Sequence, residues 1–162
     1  MTMKVFPCIL LLSILVCNQR KNYSRNDIDF SVEVQRSTID YLKNNVAKQS
    51  ARGDVFCSSS YLGADSSNVY ILFYCQEFFK SHDNWEAGTG EAGPIAIKYE
   101  RNETGIHLTG HQKPRDGNLY AKDIEAIFPQ WAQSKIKGQE TIIDSLRNIV
   151  EDQVKEKVRC NE

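Results

Sequence analysis

The period of the apolar positions shifts along the chain, and each shift predicts a new element. After Lys4, a nearly unbroken apolar run extends from Val5 to Val16 and stops at Cys17, where Asn18, Gln19, Arg20 and Lys21 follow. About a dozen apolar residues is too few to span a bilayer but suits the core of a signal peptide. Residues 18–26 are polar without apolar period and predict a tether. From Asp27 or Asp29, either of which can cap, Val32, Ile39, Leu42 and Val46, with Tyr41 beside them, mark one face of an amphipathic helix reaching about Gln49. Aromatic and β-branched content then predicts strands over 54–61 and 68–80, joined by a turn at Gly63 to Ser67.

The Gly-rich stretch Ser81 to Gly93 predicts a loop. Beyond it, Ile95–Tyr99 and Gly105–Thr109 predict a second hairpin turning at Arg101 to Thr104. Pro114 presets a type I turn over Lys113 to Asp116, and Gly117 lets the chain leave it. Tyr120, Ile124, Ile127 and Phe128 predict a short helix closed by Pro129. Trp131, Ala132 and Ile136 predict further helical turns up to Gly138. A long helix over about 139–159 carries Ile142, Ile143, Leu146, Ile149, Val150, Val154 and Val158 on one side and charges of mixed sign on the other. Its apolar stripe has three possible uses: packing on the domain, display to a partner helix, or contact with a membrane.

This order predicts an α+β fold: an N-terminal helix packed on a curved four-stranded antiparallel sheet, followed by C-terminal helices. It is similar to the cystatin-like and nuclear-transport-factor-like architectures. Such a sheet can form a cone with a ligand-sized mouth or be filled solid, and the sequence leaves both open. The expected organisation is a signal peptide at 1–17, a tether at 18–26 and one domain at 27–162. With 162 residues in all, the mature chain can bury an ordinary core. A formal net charge of -1 with scattered basic residues argues against a nucleic-acid partner.

Cys17 lies where a bacterial lipoprotein is cut and acylated with a palmitate-type chain. Ile14-Leu15-Val16-Cys17 resembles the lipobox, departing from it at Val16, where a small residue is usual. Lipidation of Cys17, ordinary cleavage and an uncleaved anchor are the three outcomes. Export makes a disulfide chemically allowed. If the first turn centres on Ser66, Cys57 and Cys75 are equidistant from it and lie opposite each other, as a bridge or as two buried thiols. Cys160 is left over.

Candidate chemistry is sparse. The loop holds His82, Asp83, Trp85, Glu86 and Glu91, with His82, Asp83 and Trp85 the candidate ligand contacts. Its G-x-G-x-x-G at Gly88, Gly90 and Gly93 is followed by Pro94 and a strand rather than a helix, so no phosphate cradle is expected. His107 and His111 would share a metal on a helix, but on a strand they sit about 13 Å apart. No metal or other cofactor is expected. Ser58, Ser59 and Ser60 have no evident His and acid partners, and Asp83 with Glu86 is not distinguished from a solvated acid pair.

The run Pro114-Arg115-Asp116-Gly117-Asn118-Leu119-Tyr120-Ala121-Lys122-Asp123-Ile124, closed by Ile127-Phe128-Pro129, resembles a P-x-D-G-x-x-Y-A-x-x-I-x-x-x-F-P pattern. That pattern is similar to the extracytoplasmic extension domains of bacterial antirepressor-type membrane metallopeptidases, relatives of the beta-lactam sensors. The preceding Gly88 to Ile97 resembles the Gly-rich lead into a strand in those extensions, so the likeness covers roughly residues 54–129. The peptidase part of the family requires H-E-x-x-H. Here His82, His107 and His111 precede Asp83, Leu108 and Gln112, so no protease activity carries over. The resemblance implies an appended module occurring alone outside the membrane.

The expectation is therefore a non-enzymatic exported protein of the cell envelope, lipid-anchored to a bacterial membrane or secreted. It would bind a protein partner or small ligand whose identity the chain does not name. The alternative is a small enzyme with a conical pocket, using His82 or His107 with an acid such as Asp83 as general acid and base.

Overall fold

A computed structural model of the protein describes residues 32–47, 53–81, 84–103 and 105–160. The leader, Cys17, the tether, both candidate caps, His82 and Asp83 lie outside the described residues. Helix α1 spans Val32–Asn45. Val34, Thr38, Leu42 and Val46, four residues apart, form its buried seam, and the hydroxyl of Thr38 donates to the Val34 carbonyl at 2.9 Å. That bond is why a polar residue is tolerated in the seam.

Strands β1 (Asp54–Ala64), β2 (Asn68–Ser81), β3 (Asn84–Asn102) and β4 (Gly105–Gln112) form one antiparallel sheet in chain order. The first turn is held by Asp65, whose carboxylate accepts the amides of Ser67 and Asn68, each at 2.7 Å, and the Tyr70 hydroxyl at 2.5 Å. A short side chain bonding the backbone two and three residues on is the turn chemistry expected of aspartate. Burial pulls the Asp65 pKa upward, but these hydrogen bonds outweigh it and leave it lowered. The Tyr70 phenol is pushed well above its ordinary value, first by burial and then by Asp65.

Both faces of the sheet are covered, so Val69 to Phe73 is buried without a break, as in strands enclosed on two sides. On one face Val69, Ile71, Phe73, Ile95 and Ile97 meet Leu42 of α1 and Val46 just past its end, and beyond Cys75 the same face opens into a cleft of about 430 Å³ lined by Ala47, Glu77, Thr89 and Lys113. On the other, Tyr70, Leu72 and Ala96 meet Phe128, Ala132, Ile136 and Leu146. These come from α2 (Tyr120–Ile127), α3 (Gln130–Ile136) and α4 (Glu140–Cys160) with their connections. The stripe of α4 packs on β1 and β2 through Leu146, Val150 and Val154. Ile149 falls off the seam and stays 49% exposed.

Two contacts fix the helical layer. Asp123 of α2 accepts three hydrogen bonds from Arg115, at 2.9 Å from its amide and 2.8 Å from Nε and Nη2, which ties the bend after Pro114 to the helix. The Arg115 guanidinium and amide hold the Asp123 carboxyl well below the usual carboxylate range. In β1 the register slips at Leu62, and Gly63, with φ of 152°, receives the ring of Trp131 from α3. A Cβ there would lie 2.4 Å from that ring, so only glycine admits it.

The stretch 81–93 departs from expectation. It is not a loop: β2 runs to Ser81 and β3 starts at Asn84, with Lys80 opposite Trp85 and Gln76 opposite Gly90. Glycines weaken a strand by themselves, but here they make room for close approach. A Cβ on Gly88 would lie 2.8 Å from Glu77 Oε2, and one on Gly90 2.4 Å from Gln76 Oε1. The Gln76 amide donates to the Gly88 carbonyl at 2.8 Å, so a side chain adds to the backbone pairing. Pro94 is tolerated in β3 because β4 pairs only from Ala96 onward, leaving one side of β3 an edge at that point.

Candidate functional site

The distal half of the β2–β3 hairpin projects past the core, and the last turns of α4 run beside it. Between them lies a cleft of about 470 Å³, lined by Tyr74, Phe78, Trp85, Val154 and Val158, with Gln76, Asn84, Glu151 and Lys155 as its polar groups. Alternation sends every second side chain of β2 to this face, so Tyr74, Gln76 and Phe78 stand in a row.

The rings are held edge-on to one another. Phe56 of β1 meets Phe78 at 5.9 Å between centroids and Trp85 at 6.5 Å, with interplanar angles of 79° and 80°. Edge-to-face packing sets the positive rim of one ring against the negative face of the next and fixes ring orientation. Lys157 of α4 caps this group, its ammonium 5.5 Å from the Phe56 centroid and 5.6 Å from that of Trp85. The same ammonium bonds Asp54 Oδ2 at 2.7 Å, joining the end of α4 to the start of β1. Arg147 lies over Tyr74 at 5.6 Å, and the Tyr74 hydroxyl donates to Gln76 Oε1 at 3.1 Å. The result is an apolar floor with cations, an acid and amides around it, a composition suited to holding an amphipathic ligand.

Trp85 thus sits where it can touch a ligand, although on a strand rather than in a loop. His82 and Asp83, its predicted companions, lie outside the described residues. Cys57 and Cys75 face each other in register and are joined by a disulfide, each 1% exposed. Cys160 is free and exposed.

Several of the other candidate residues have structural partners. Ser58 donates to the Leu146 carbonyl at 2.7 Å, tying β1 to α4. His111 shares a 3.1 Å hydrogen bond with the Tyr41 hydroxyl of α1 and lies edge-on to that ring. Burial lowers the His111 pKa, and Lys113 lowers it further against the opposing pull of Glu91. His107 is exposed on β4 opposite Glu100. The register slips between Gly110 and Leu108, leaving Thr109 as the extra residue. Leu108 and Ile106 pack toward α1, as His111 does, so His107 points to the opposite face. The two imidazoles therefore cannot converge on one ion. Among the described residues no group of three His, Cys, Asp or Glu is placed to hold a metal. Glu91 forms an ion pair with Lys113.

Sequence reasoning missed Phe56, Phe78, Tyr74 and Lys157. Alternation of aromatic residues in β1 and β2 is a signal for the first three once the Cys57–Cys75 register is assumed. Nothing local signals Lys157, because it reaches the rings only through the docking of α4. Among the described residues, no helix is long and apolar enough to cross a membrane. No family model, no curated protein and no solved structure matches the chain.

Proposed function

We propose that this protein is an exported envelope lipoprotein, anchored through Cys17, that binds a ligand or partner outside the cytoplasmic membrane without catalysing a reaction. The observation that carries this reading is the aromatic cleft between the distal hairpin and α4. Its rings are pre-oriented by edge-on packing and by Lys157, so little ordering cost falls on binding. Among the described residues, the polar groups in its lining, Gln76, Asn84, Glu151 and Lys155, include no imidazole and no hydroxyl nucleophile with a base beside it.

Support for export comes from the apolar leader ending at Cys17 and from the buried cystine, since disulfides persist in oxidising compartments. The likeness of residues 114–129 to envelope-sensor extensions points the same way. The test is a photo-crosslinking residue placed at Trp85 in intact cells, combined with metabolic labelling by an alkynyl palmitate. Adducts in the envelope fraction and label lost in Cys17→Ser are expected. An unlabelled wild-type chain in the cytosol, or adducts no different from those at exposed Lys122, would defeat the proposal.

A further inference from the structure

The outer edge of the sheet offers a second surface, independent of the aromatic cleft. Among the described residues β1 is an end strand, and its Cys57–Cys75 pair has a Cα–Cα distance of 4.2 Å. That close spacing marks a non-hydrogen-bonded pair, so Cys57, and by alternation Val55 and Ser59, direct their N–H and C=O groups away from β2. Consistent with this, the Cys57 carbonyl is approached from outside by Gln153 Nε2 of α4, at 3.5 Å. End strands are commonly blunted by proline, lysine or bulges. From Asp54 to Ala64 there is neither proline nor lysine, and the only register slip lies at Leu62, beyond the serine run.

The two helices flanking this edge turn it into a groove of about 420 Å³. α1 supplies Gln35, Arg36, Ile39 and Lys43 on one wall, α4 supplies Ile149 and Gln153 on the other, and Cys57, Ser58 and Ser59 form the floor. The Ser59 hydroxyl is buried there with no hydrogen-bond partner among the described residues. An orphaned buried hydroxyl beside outward-facing backbone groups is a deficit that an added chain would satisfy. The charged side chains of the groove are Arg36 and Lys43, and neither forms an ion pair among the described residues.

We propose that β1 accepts an extended acidic peptide of a partner protein as a fifth strand, its backbone pairing with Cys57 and Ser59 and its carboxylates meeting Arg36 and Lys43. An apolar side chain of the peptide packs on Ile149. Backbone pairing supplies affinity in such strand addition, and the flanking charges supply selectivity.

The test uses fluorescein-labelled peptides that alternate valine and threonine with aspartate and glutamate, and counterparts with lysine at every acidic position, titrated into the full chain by anisotropy. The acidic peptide should bind at least roughly tenfold more tightly than the basic one. Ser59→Pro removes an outward N–H at an edge, where proline is compatible with the sheet, and should weaken binding roughly tenfold with melting little changed. The pair Arg36→Glu and Lys43→Glu, the first exposed and the second half-buried, should reverse the preference between peptides and serves if the proline variant does not fold. Equal affinity for the two peptides, no binding of the acidic one, or full binding by folded Ser59→Pro overturns the proposal. Self-association of the chain that competes with the peptide and is lost in Ser59→Pro would assign the edge to a second copy instead, and also overturns it.

Discussion

The same two strands, β2 and β3, behave differently in their two halves. Toward the Asp65 turn, Val69 to Phe73 and Ile95 to Ile97 are enclosed between α1 and the C-terminal helices, with every side chain buried. From Tyr74 and Gly93 outward the helical cover thins, β3 carries Gly88, Gly90 and Gly93, and the rings of Tyr74, Phe78 and Trp85 are partly open to solvent. One half has spent its apolar surface on folding, whereas the other still has surface to offer. A binding site built on a strand pair anchored in a core gains rigidity without the core having to change.

Breaking the enclosed half should have the largest effect. Ile71→Ala removes a fully buried side chain from the α1 face and should cost about 2–5 kcal/mol, read from urea unfolding. A loss below about 1 kcal/mol would mean this half is no better packed than the other. The disulfide sits at the border between the halves, with a sequence separation of 18. Replacing both Cys57 and Cys75 by serine should cost about 3 kcal/mol by releasing the unfolded chain, measured against the oxidised protein.

Trp85→Ala tests the distal half directly. It should lower stability by about 1 kcal/mol through loss of the Phe56 contact and the Lys157 cation, while reducing crosslinking from neighbouring Asn84 severalfold. A loss comparable to that of Ile71→Ala would show that the ring belongs to the core instead.

Two ionisable groups sharpen the comparison through pH. Asp123 has a lowered pKa in the fold, so its bond to Arg115 stabilises fully above the unfolded carboxylate value of about 3.9 and is lost as pH falls toward the folded value. Asp123→Asn should therefore melt lower than wild type at pH 7, with the gap closing below about pH 4. His111 works in the same sense for a different reason. Its fold disfavours the proton, so below about pH 6.5 the unfolded chain takes up a proton that the native state resists, and stability falls. His111→Gln should keep a bond to Tyr41 and lose only that slope, the smallest of these effects. A pH profile identical to wild type would show that His111 does not carry this acid slope.

Much of this was open to a reader of the chain, because period is a local property. The alternation of the strands, the short helix α2 and the stripe of α4 follow from residues two, three or four apart. The α1 seam runs through Val34 and Thr38 rather than Ile39, because the Thr38 hydroxyl is satisfied within the helix, and after Pro114 the chain bends only at Asp116 instead of forming a turn over Lys113 to Asp116. The Cys57–Cys75 pairing agrees with a count from Ser66, but not for that reason: the turn pairs Ala64 with Val69, and the slip at Leu62 shifts the register by one residue and sets Cys57 opposite Cys75. Composition misled at Ser81 to Gly93. Glycine signals a loop only while its neighbours are ignored, and here Gln76 and Glu77 from the paired strand occupy the space that side chains on Gly88 and Gly90 would need.

The sequence by itself determined the helices, the core of each strand and the order of the four strands, but not the strand character of 84–93 or the slip at Leu62 that sets the two cysteines opposite each other. The tertiary structure alone decided that the sheet is covered on both faces, that Lys157 closes over Phe56 and Trp85, and that a groove with Arg36 and Lys43 on its wall runs along β1. The reason is range. Periodicity and turn chemistry act over a few residues, whereas Lys157 meets Asp54 across 103 positions of chain, a distance at which only packing decides who is a neighbour.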